Sequence, residues 1–323
     1  MKEIGGYFGL ELNETGEFHH DALKLNTARN CLEYVLRART YRKIYIPYYS
    51  CPVLLEPIEK CQIAYEYYFI NKELDPIFDK SLSKGEGFLY INYFGLKQNT
   101  VELLARRFGE RLIVDNSQAF FSNRIDNIDT FYSARKFFGV ADGSYLYTDQ
   151  RINEDFEQDV SYPRMLFLLK RLDLSAQEGY SEFKDNERRL NNSSIKKMSS
   201  ITERILGSID YDKISASRKE NYRYLECRFS KYNMLHLDFE RIESVPMAYP
   251  LLVPDGKELK KKLISEGIYV ATYWPSIVSR PTKGYEYSMA SNLVPLPVDQ
   301  RYKINEMEYV ADKAEFFLRV SKD

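Results

Sequence analysis

The stretch FYSARKFFGVADGSYLYTD, residues 131–149, decides how this chain is read. It opens strand-like, passes through Ser133-Ala134-Arg135-Lys136, turns at Asp142-Gly143 and closes strand-like again. Lys136 therefore sits at the lip of two apolar strands, three residues after a serine. A surface lysine needs no such setting. A lysine that must hold a lowered pKa to form an imine with a carbonyl cofactor does. Lys136 is also the only lysine between Lys97 and Lys170, so within this block it has no rival.

Upstream of this stretch the pattern alternates. Residues 27–38 carry Ala28, Cys31, Leu32, Val35 and Leu36 at helical spacing, with Thr27 opening the run. KIYIP (43–47) reads as a strand, CPVLLEPIEK (51–60) as a helix with an early proline, and IAYEYYFI (63–70) as a strand. GFLYINYFG (87–95) reads as a strand ending at Gly95. TVELLARRFG (100–109) reads as a helix capped by Thr100 and stopped by Gly109, and RLIVD (111–115) as a short strand ending in an acid. Strands alternating with helices predict an α/β fold, a mostly parallel seven-strand-type sheet flanked by helices.

From 150 to about 232 the chain is charged and helical in period, and its long amphipathic helix near 210–231 is read as core packing. Alternation then resumes: SVPMAYPLLV (244–253) and IYVATYW (268–274) as strands, GKELKKKLISEG (256–267) and NEMEYVADKAEFFLRV (305–320) as helices. The predicted division is a large α/β domain over 1–208 and a smaller α+β domain over 209–323. Lys260-Lys261-Lys262 is read as a solvated helix face, and His19-His20 as a surface pair.

Composition narrows the function classes. With 46 basic and 47 acidic residues the net charge is -1, which gives no electrostatic footprint for nucleic acid. No apolar run reaches the ~18 residues of a membrane span, and the N-terminus lacks a signal pattern. Four cysteines, Cys31, Cys51, Cys61 and Cys227, show no CxxC spacing, and a reduced cytoplasmic protein is the expectation. Three histidines, His19, His20 and His236, are too few for a histidine-rich metal site, so no metal is expected. Phosphate-loop and nucleophile-elbow motifs are absent.

In open α/β sheets ligands sit at the C-terminal ends of parallel strands. Asp115 and Gln118 (in DNSQAFF), Ser133 and Lys136, and Asn92-Tyr93 all fall at such ends. These parts suit pyridoxal phosphate. Asp115 can keep the ring nitrogen protonated and Gln118 can bond the phenolic oxygen. Ser133, Thr27 and the first amides of the helix, at Ala28 and Arg29, can hold the phosphate. Lys136 joins the aldehyde and moves the proton.

The chain resembles the aspartate-aminotransferase fold (fold type I) of pyridoxal-phosphate enzymes, and most of all the DegT/DnrJ/EryC1/StrS sugar aminotransferases. Asp115-Asn116-Ser117-Gln118-Ala119 matches the family's Asp-x-x-Gln-Ala. Thr27-Ala28-Arg29 stands for its Ser-Gly-Thr, Asn92-Tyr93-Phe94-Gly95 for its His-x-Tyr-Gly, and Lys136 with Asp142-Gly143-Ser144 for its lysine and acid-Gly-Gly turn. GIYVATYWP and VPLPVDQRYKINEMEYV match C-terminal segments, so the resemblance runs over roughly 20 to 320. Ser133 lies three residues before the lysine, where many members have five, and the histidine that precedes the lysine is absent. The resemblance puts Cys51 where an aromatic stacks on the ring, with Tyr48 or Tyr49 as alternatives; Tyr273 and Trp274 are candidate substrate contacts, and Trp274 has the alternative of anchoring the small-domain core. It implies an aminotransferase that takes nitrogen from a donor such as glutamate and gives it to a nucleotide-linked keto-sugar, working as a homodimer in polysaccharide or amino-sugar biosynthesis. Two other readings stay open: a same-fold cofactor-binding protein with little transaminase activity, and a sugar dehydratase.

Overall fold

The computed structural model describes residues 4–235, 237, 244–281 and 284–320. His236 lies outside the described residues. An eight-stranded sheet forms from β1 (Leu23–Leu25), β2 (Lys43–Pro47), β3 (Ala64–Ile70), β4 (Pro76–Ile77), β5 (Glu86–Ile91), β6 (Leu112–Asn116), β7 (Asp129–Ser133) and β8 (Ser144–Tyr147). Its spatial order is β1-β8-β7-β6-β5-β2-β3-β4. From β7 across to β3 every pairing is parallel, while β8, β1 and β4 run antiparallel to their neighbours. A second, two-stranded antiparallel sheet pairs β9 (Ala248–Leu252) with β10 (Leu293–Pro297).

Helices cover these sheets. They are α1 (Ala28–Arg39), α2 (Leu55–Lys60), α3 (Gln98–Phe108), α4 (Leu166–Asp173), α5 (Tyr180–Arg189), α6 (Ser200–Leu206), α7 (Tyr211–Phe229), α8 (Gly256–Ser265), α9 (Tyr285–Asn292) and α10 (Ile304–Val320). The central strands β6 and β7 are buried along their whole length, as parallel strands covered on both faces must be. In α1 the apolar positions Cys31, Leu32, Val35 and Leu36 face inward, against β7 and β8. In α7 the buried set is Arg218, Asn221, Tyr222, Leu225 and Phe229, and the helix packs on β9 and α10.

One apolar core runs through both sheets, from Leu25 to Ala314. A second cluster gathers Phe120, Tyr132, Ala134, Phe137, Phe138, Val140, Tyr145, Met198 and Leu206. Lys136 is embedded in the sequence of that second cluster, so its neighbours are clamped by packing on both sides.

Several expectations are corrected. The strand read to Gly95 stops at Ile91, because Phe94 takes a left-handed φ of 57° and turns the chain. Helix α3 begins two residues before Thr100, whose hydroxyl donates instead to Asp75 Oδ1 at 2.5 Å. Residues 268–274 alternate in burial at first, Ile268 and Val270 in and Tyr269 out, yet no neighbouring strand pairs with them. The ladder partner of β9 is β10, with its prolines at 295 and 297. The sheet has eight strands because the short edge pieces β1 and β4 join it. Lys260 is only 5% exposed, not solvated like its neighbour Lys261.

His19 is likewise no surface residue. It is 3% exposed, its Nε2 sits 2.8 Å from the Phe120 carbonyl oxygen, and the rings of Phe18, Phe120, Tyr132, Tyr145 and Tyr147 surround it. His20 is exposed. Burial drives the His19 pKa down from 6.5 to about 4, against the opposing bond to Phe120. The folded protein thus refuses a proton that the unfolded chain accepts. His19 contributes stability fully present above pH 6.5 and lost as pH falls toward 4. The expected loss is about 2–3 kcal/mol. Denaturation midpoints of the wild type and of His19→Phe, compared between pH 7.5 and 4.5, check this: the variant's curve should be the flatter.

Among the described residues no helix is long and apolar enough to cross a membrane, and no group of three His, Cys, Asp or Glu side chains is arranged to hold a metal.

Candidate active site

Strands β2, β5, β6 and β7 run parallel, so the segments that follow them emerge at one edge of the sheet. These segments are Tyr48–Cys51, Asn92–Gly95, Ser117–Gln118 and Ala134–Lys136. Asp115 stands opposite Phe131 in the β6–β7 ladder, two residues short of Ser133. The ladder register therefore brings Asp115, Ser133 and Lys136 together from different parts of the chain.

Lys136 ends a short 3-10 turn, Ala134–Lys136. Solvent reaches the residue, yet protein atoms surround its ammonium closely. That surround, then the cation of Arg135, lowers its pKa; Cys51 and Asp115 pull the other way, and Arg29 adds to the lowering. Those groups are its electrostatic neighbours. Asp115 is 6% exposed, and burial raises its pKa to about 6, opposed by hydrogen bonds from Ser117 and by Lys136. The Ser117 backbone N–H donates to Asp115 Oδ1 at 2.8 Å.

Gln118 is buried, and its Oε1 accepts the Phe94 N–H at 2.8 Å. This fixes the amide orientation and leaves its NH2 with no protein acceptor among the described residues. Ser133 is buried, and its hydroxyl likewise bonds no described protein group. Thr27 caps α1, its hydroxyl oxygen accepting the Asn30 N–H at 3.2 Å. The amides of Ala28 and Arg29, in the first turn of that helix, have no carbonyl four residues back. The Arg29 side chain is taken up elsewhere: it donates to Glu56 Oε2 at 2.7 Å and to Asn191 Oδ1 at 3.0 Å.

Cys51 is half-buried and acts on the Lys136 ammonium. Of the alternatives at its loop, Tyr49 is buried against Trp274, edge-on with centroids 4.4 Å apart. Trp274 also lies 6.0 Å from the Tyr93 ring, and Tyr273 lies 5.9 Å from Phe94. Trp274 therefore packs on the loops after β2 and β5, and Tyr273 on the loop after β5. Asn92 is structural: its Oδ1 accepts the Lys97 N–H and its Nδ2 donates to Ser122 Oγ. Asp142 is fully buried and accepts from the Ser199 N–H, the Ser199 hydroxyl and the Thr202 hydroxyl, which bolts the turn after Lys136 to α6. At Gly143, φ is +113° and an added Cβ would lie 2.8 Å from Thr202 Cγ2, so the turn needs glycine.

Sequence reasoning missed three residues around the lysine. Arg135 is paired with Glu187, and burial followed by the nearby Arg29 lowers its pKa to about 10. Arg218 of α7 is buried with its guanidinium 4.5 Å from the Phe137 ring, and Gln300 Nε2 donates to the Phe137 carbonyl at 2.8 Å. Adjacency within Ser-Ala-Arg-Lys was the available signal for Arg135. Nothing local marks Arg218 or Gln300, which reach Phe137 from 81 and 163 residues away.

Pyridoxal phosphate fits the groups left open here. The buried carboxylate of Asp115 would suit a protonated ring nitrogen, and the open amide of Gln118 would suit a phenolic oxygen. The open hydroxyl of Ser133 and the first amides of α1 would suit its phosphate, and the lowered pKa of Lys136 would suit an imine.

The architecture is the aspartate-aminotransferase fold, a large mostly parallel sheet with a small antiparallel sheet beside it. Solved structures with this fold include a DegT DnrJ EryC1 StrS aminotransferase from Brucella abortus, at 14% identity and a TM-score of 0.62, covering 92% of this chain and 85% of that one. The sugar aminotransferase CalS13 from Micromonospora echinospora is similar at 11% identity and a TM-score of 0.62, over 90% of this chain and 86% of that one. NtdA from Bacillus subtilis, with bound cofactor PMP, is similar at 13% identity and a TM-score of 0.63, over 92% and 73%. No protein-family model matches the chain, and no curated protein matches it in sequence.

Proposed function

We propose that this chain is a pyridoxal-phosphate-dependent aminotransferase. In this reading it moves an amino group from a donor such as glutamate to a nucleotide-linked keto-sugar, in amino-sugar or surface-polysaccharide biosynthesis. It works in the cytoplasm as a homodimer. The observation that carries the reading is the convergence of Lys136 and Asp115 at the ends of neighbouring parallel strands, with open valences on Gln118, Ser133, Ala28 and Arg29 at the same sheet edge and the helix that follows β1. The fold shared with the sugar aminotransferase CalS13 supports the substrate class. Exposed Leu166, Leu169 and Leu172, three residues apart along α4, support assembly with a second copy.

When bound, the cofactor supplies an aldehyde and an electron-withdrawing ring. Lys136 offers an amine whose close surround and two neighbouring arginines bias it toward its neutral, nucleophilic form, and the same amine would carry the proton that moves. Asp115 holds negative charge where the ring nitrogen must keep its proton. Gln118, whose Oε1 is held by the Phe94 N–H, would donate to the phenolic oxygen. Ser133, with the amides of Ala28 and Arg29, would hold the phosphate. Arg218 and Gln300 hold Phe137, and so fix the turn that aims Lys136.

Borohydride reduction of the purified protein followed by peptide mapping tests the assignment. A pyridoxyl group on Lys136, and a visible absorbance that bleaches when glutamate is added, are the expected results. A label on any other lysine removes the site, and a colour indifferent to every amino donor removes the aminotransferase.

A further inference from the structure

Two arginines act on Lys136, and both are held from behind by the end of one helix, α5. Arg135 precedes the lysine within the turn Ala134–Lys136 and is ion-paired with Glu187 of α5. Arg29 donates to the side chain of Asn191, which lies just past the end of α5. Asn186, the residue before Glu187, is buried, and its Nδ2 donates to the Ala141 carbonyl at 2.9 Å, in the loop that follows the lysine. Positions 186 and 190 lie one helical turn apart, as do 187 and 191, so one side of α5 serves the whole set. The other acids of the helix are committed elsewhere, Glu182 to Lys170 and Asp185 to Arg188 and Arg189. Arg135 itself sits in a crowd of cations. Beyond its ion pair, the charges that act on it are Arg29, Asp142 and Arg164. Asp142 is taken up by Ser199 and Thr202, and Arg164 by Asp159. The Arg135 side chain is only 16% exposed. A guanidinium enclosed among like charges stays in place only where a carboxylate compensates it; without one, water is the better surround.

Resting on the aminotransferase reading, we propose that Glu187 is a positioning residue for the reaction: from α5 it holds the Arg135 guanidinium beside Lys136, and the charge held there keeps the lysine amine free to react. After the close surround of protein atoms, Arg135 is the strongest influence on Lys136, ahead of Cys51, Asp115 and Arg29. A fixed positive charge disfavours a second one next to it, so the ammonium form of the lysine is the form that loses. Where Arg135 sits is therefore felt at the amine, and Glu187 decides where Arg135 sits.

The test reads the amine directly, with no turnover. Solvent reaches Lys136, so a small acylating reagent does too. Labelling of the full chain with acetic anhydride at increasing pH, followed by peptide mapping, gives the pH at which Lys136 is half reactive. Arg135→Gln should raise that pH by about 1. Glu187→Ala should raise it as well, because the released guanidinium moves out to water. A carboxylate that were merely a nearby charge would act the other way: its loss would lower that pH. The reversed pair, Arg135→Glu with Glu187→Arg, keeps an ion pair between α5 and the turn but sets a negative charge beside the lysine. It should raise the pH further than Arg135→Gln does, and it keeps the test standing where Glu187→Ala fails to fold. At neutral pH the rate of colour formation with added pyridoxal phosphate should fall about tenfold in Arg135→Gln and in Glu187→Ala, in proportion to the free amine. A half-reactive pH unchanged or lowered in Glu187→Ala overturns the proposal. So does a reversed pair that behaves as the wild type, which would show that the ion pair serves the fold alone. A Lys136 that responds as expected in a protein that forms no colour with pyridoxal phosphate would sink the aminotransferase reading and leave the hold of Glu187 on Arg135 standing. A protein that transaminates with a Lys136 indifferent to all these variants would sink the proposal alone.

Discussion

Lys136→Ala is expected to reduce turnover by about 10⁴-fold or more, while leaving a folded protein that still takes up the cofactor. The two halves of that expectation rest on different parts of the structure. In the proposed reaction the amine itself would be needed, both as nucleophile and as proton carrier, and no other lysine sits in its block of sequence. Folding does not need it: the residue is exposed to solvent, and the turn is held by Ala134, Phe137 and Phe138 in the second apolar cluster. The cofactor's phosphate would still meet Ser133 and the open amides of α1, so retention on a desalting column should persist, now without a borohydride-stable link. Steady-state rates with glutamate and a keto-sugar nucleotide, beside that retention assay, check both halves. Turnover within tenfold of the wild type would show that another base does the work.

Much of this site is legible in the sequence because it is written in short segments. Asp115-x-x-Gln118 and Ser133-x-x-Lys136 each lie just past a run of strand-forming residues, and a parallel sheet delivers such ends to one edge whatever the rest of the chain does. The helix-opening Thr27 is legible for the same reason, since a cap and the first amides of a helix are local features. What stays hidden depends on distant contacts. His19 follows a polar, turn-rich stretch and is buried because four aromatic rings from other segments close around it together with its neighbour Phe18. Residues 268–274 have apolar and β-branched residues, but a strand also needs a neighbour, and β9 is already paired with β10. Glu187 carries no motif at all: its character comes from Arg135, 52 positions earlier in the chain, met only after folding.

Asp115→Asn should cost about 10²–10³-fold in turnover and yet stabilise the cofactor-free protein. A buried carboxylate is poorly solvated, which is why the Asp115 pKa rises from 3.8 to about 6 despite help from Ser117 and Lys136. Between those two values the folded state keeps a proton that the unfolded chain has released. Stability therefore falls as pH rises from about 4 to 6, and above that the full cost, on the order of 2 kcal/mol, is borne by the empty site. Asparagine removes the charge and the cost with it. The cofactor ring reverses the balance, because a protonated ring nitrogen is the partner the carboxylate lacks, so cofactor affinity in the wild type should strengthen as pH is raised through about 6. In Asp115→Asn that pH dependence should vanish, together with most of the turnover. Melting curves of cofactor-free protein at pH 8 and cofactor titrations from pH 5 to 8 read the two effects separately. An Asn variant that melts lower than the wild type when empty, or that keeps the same rise in affinity through pH 6, would mean the carboxylate serves the fold rather than the ring.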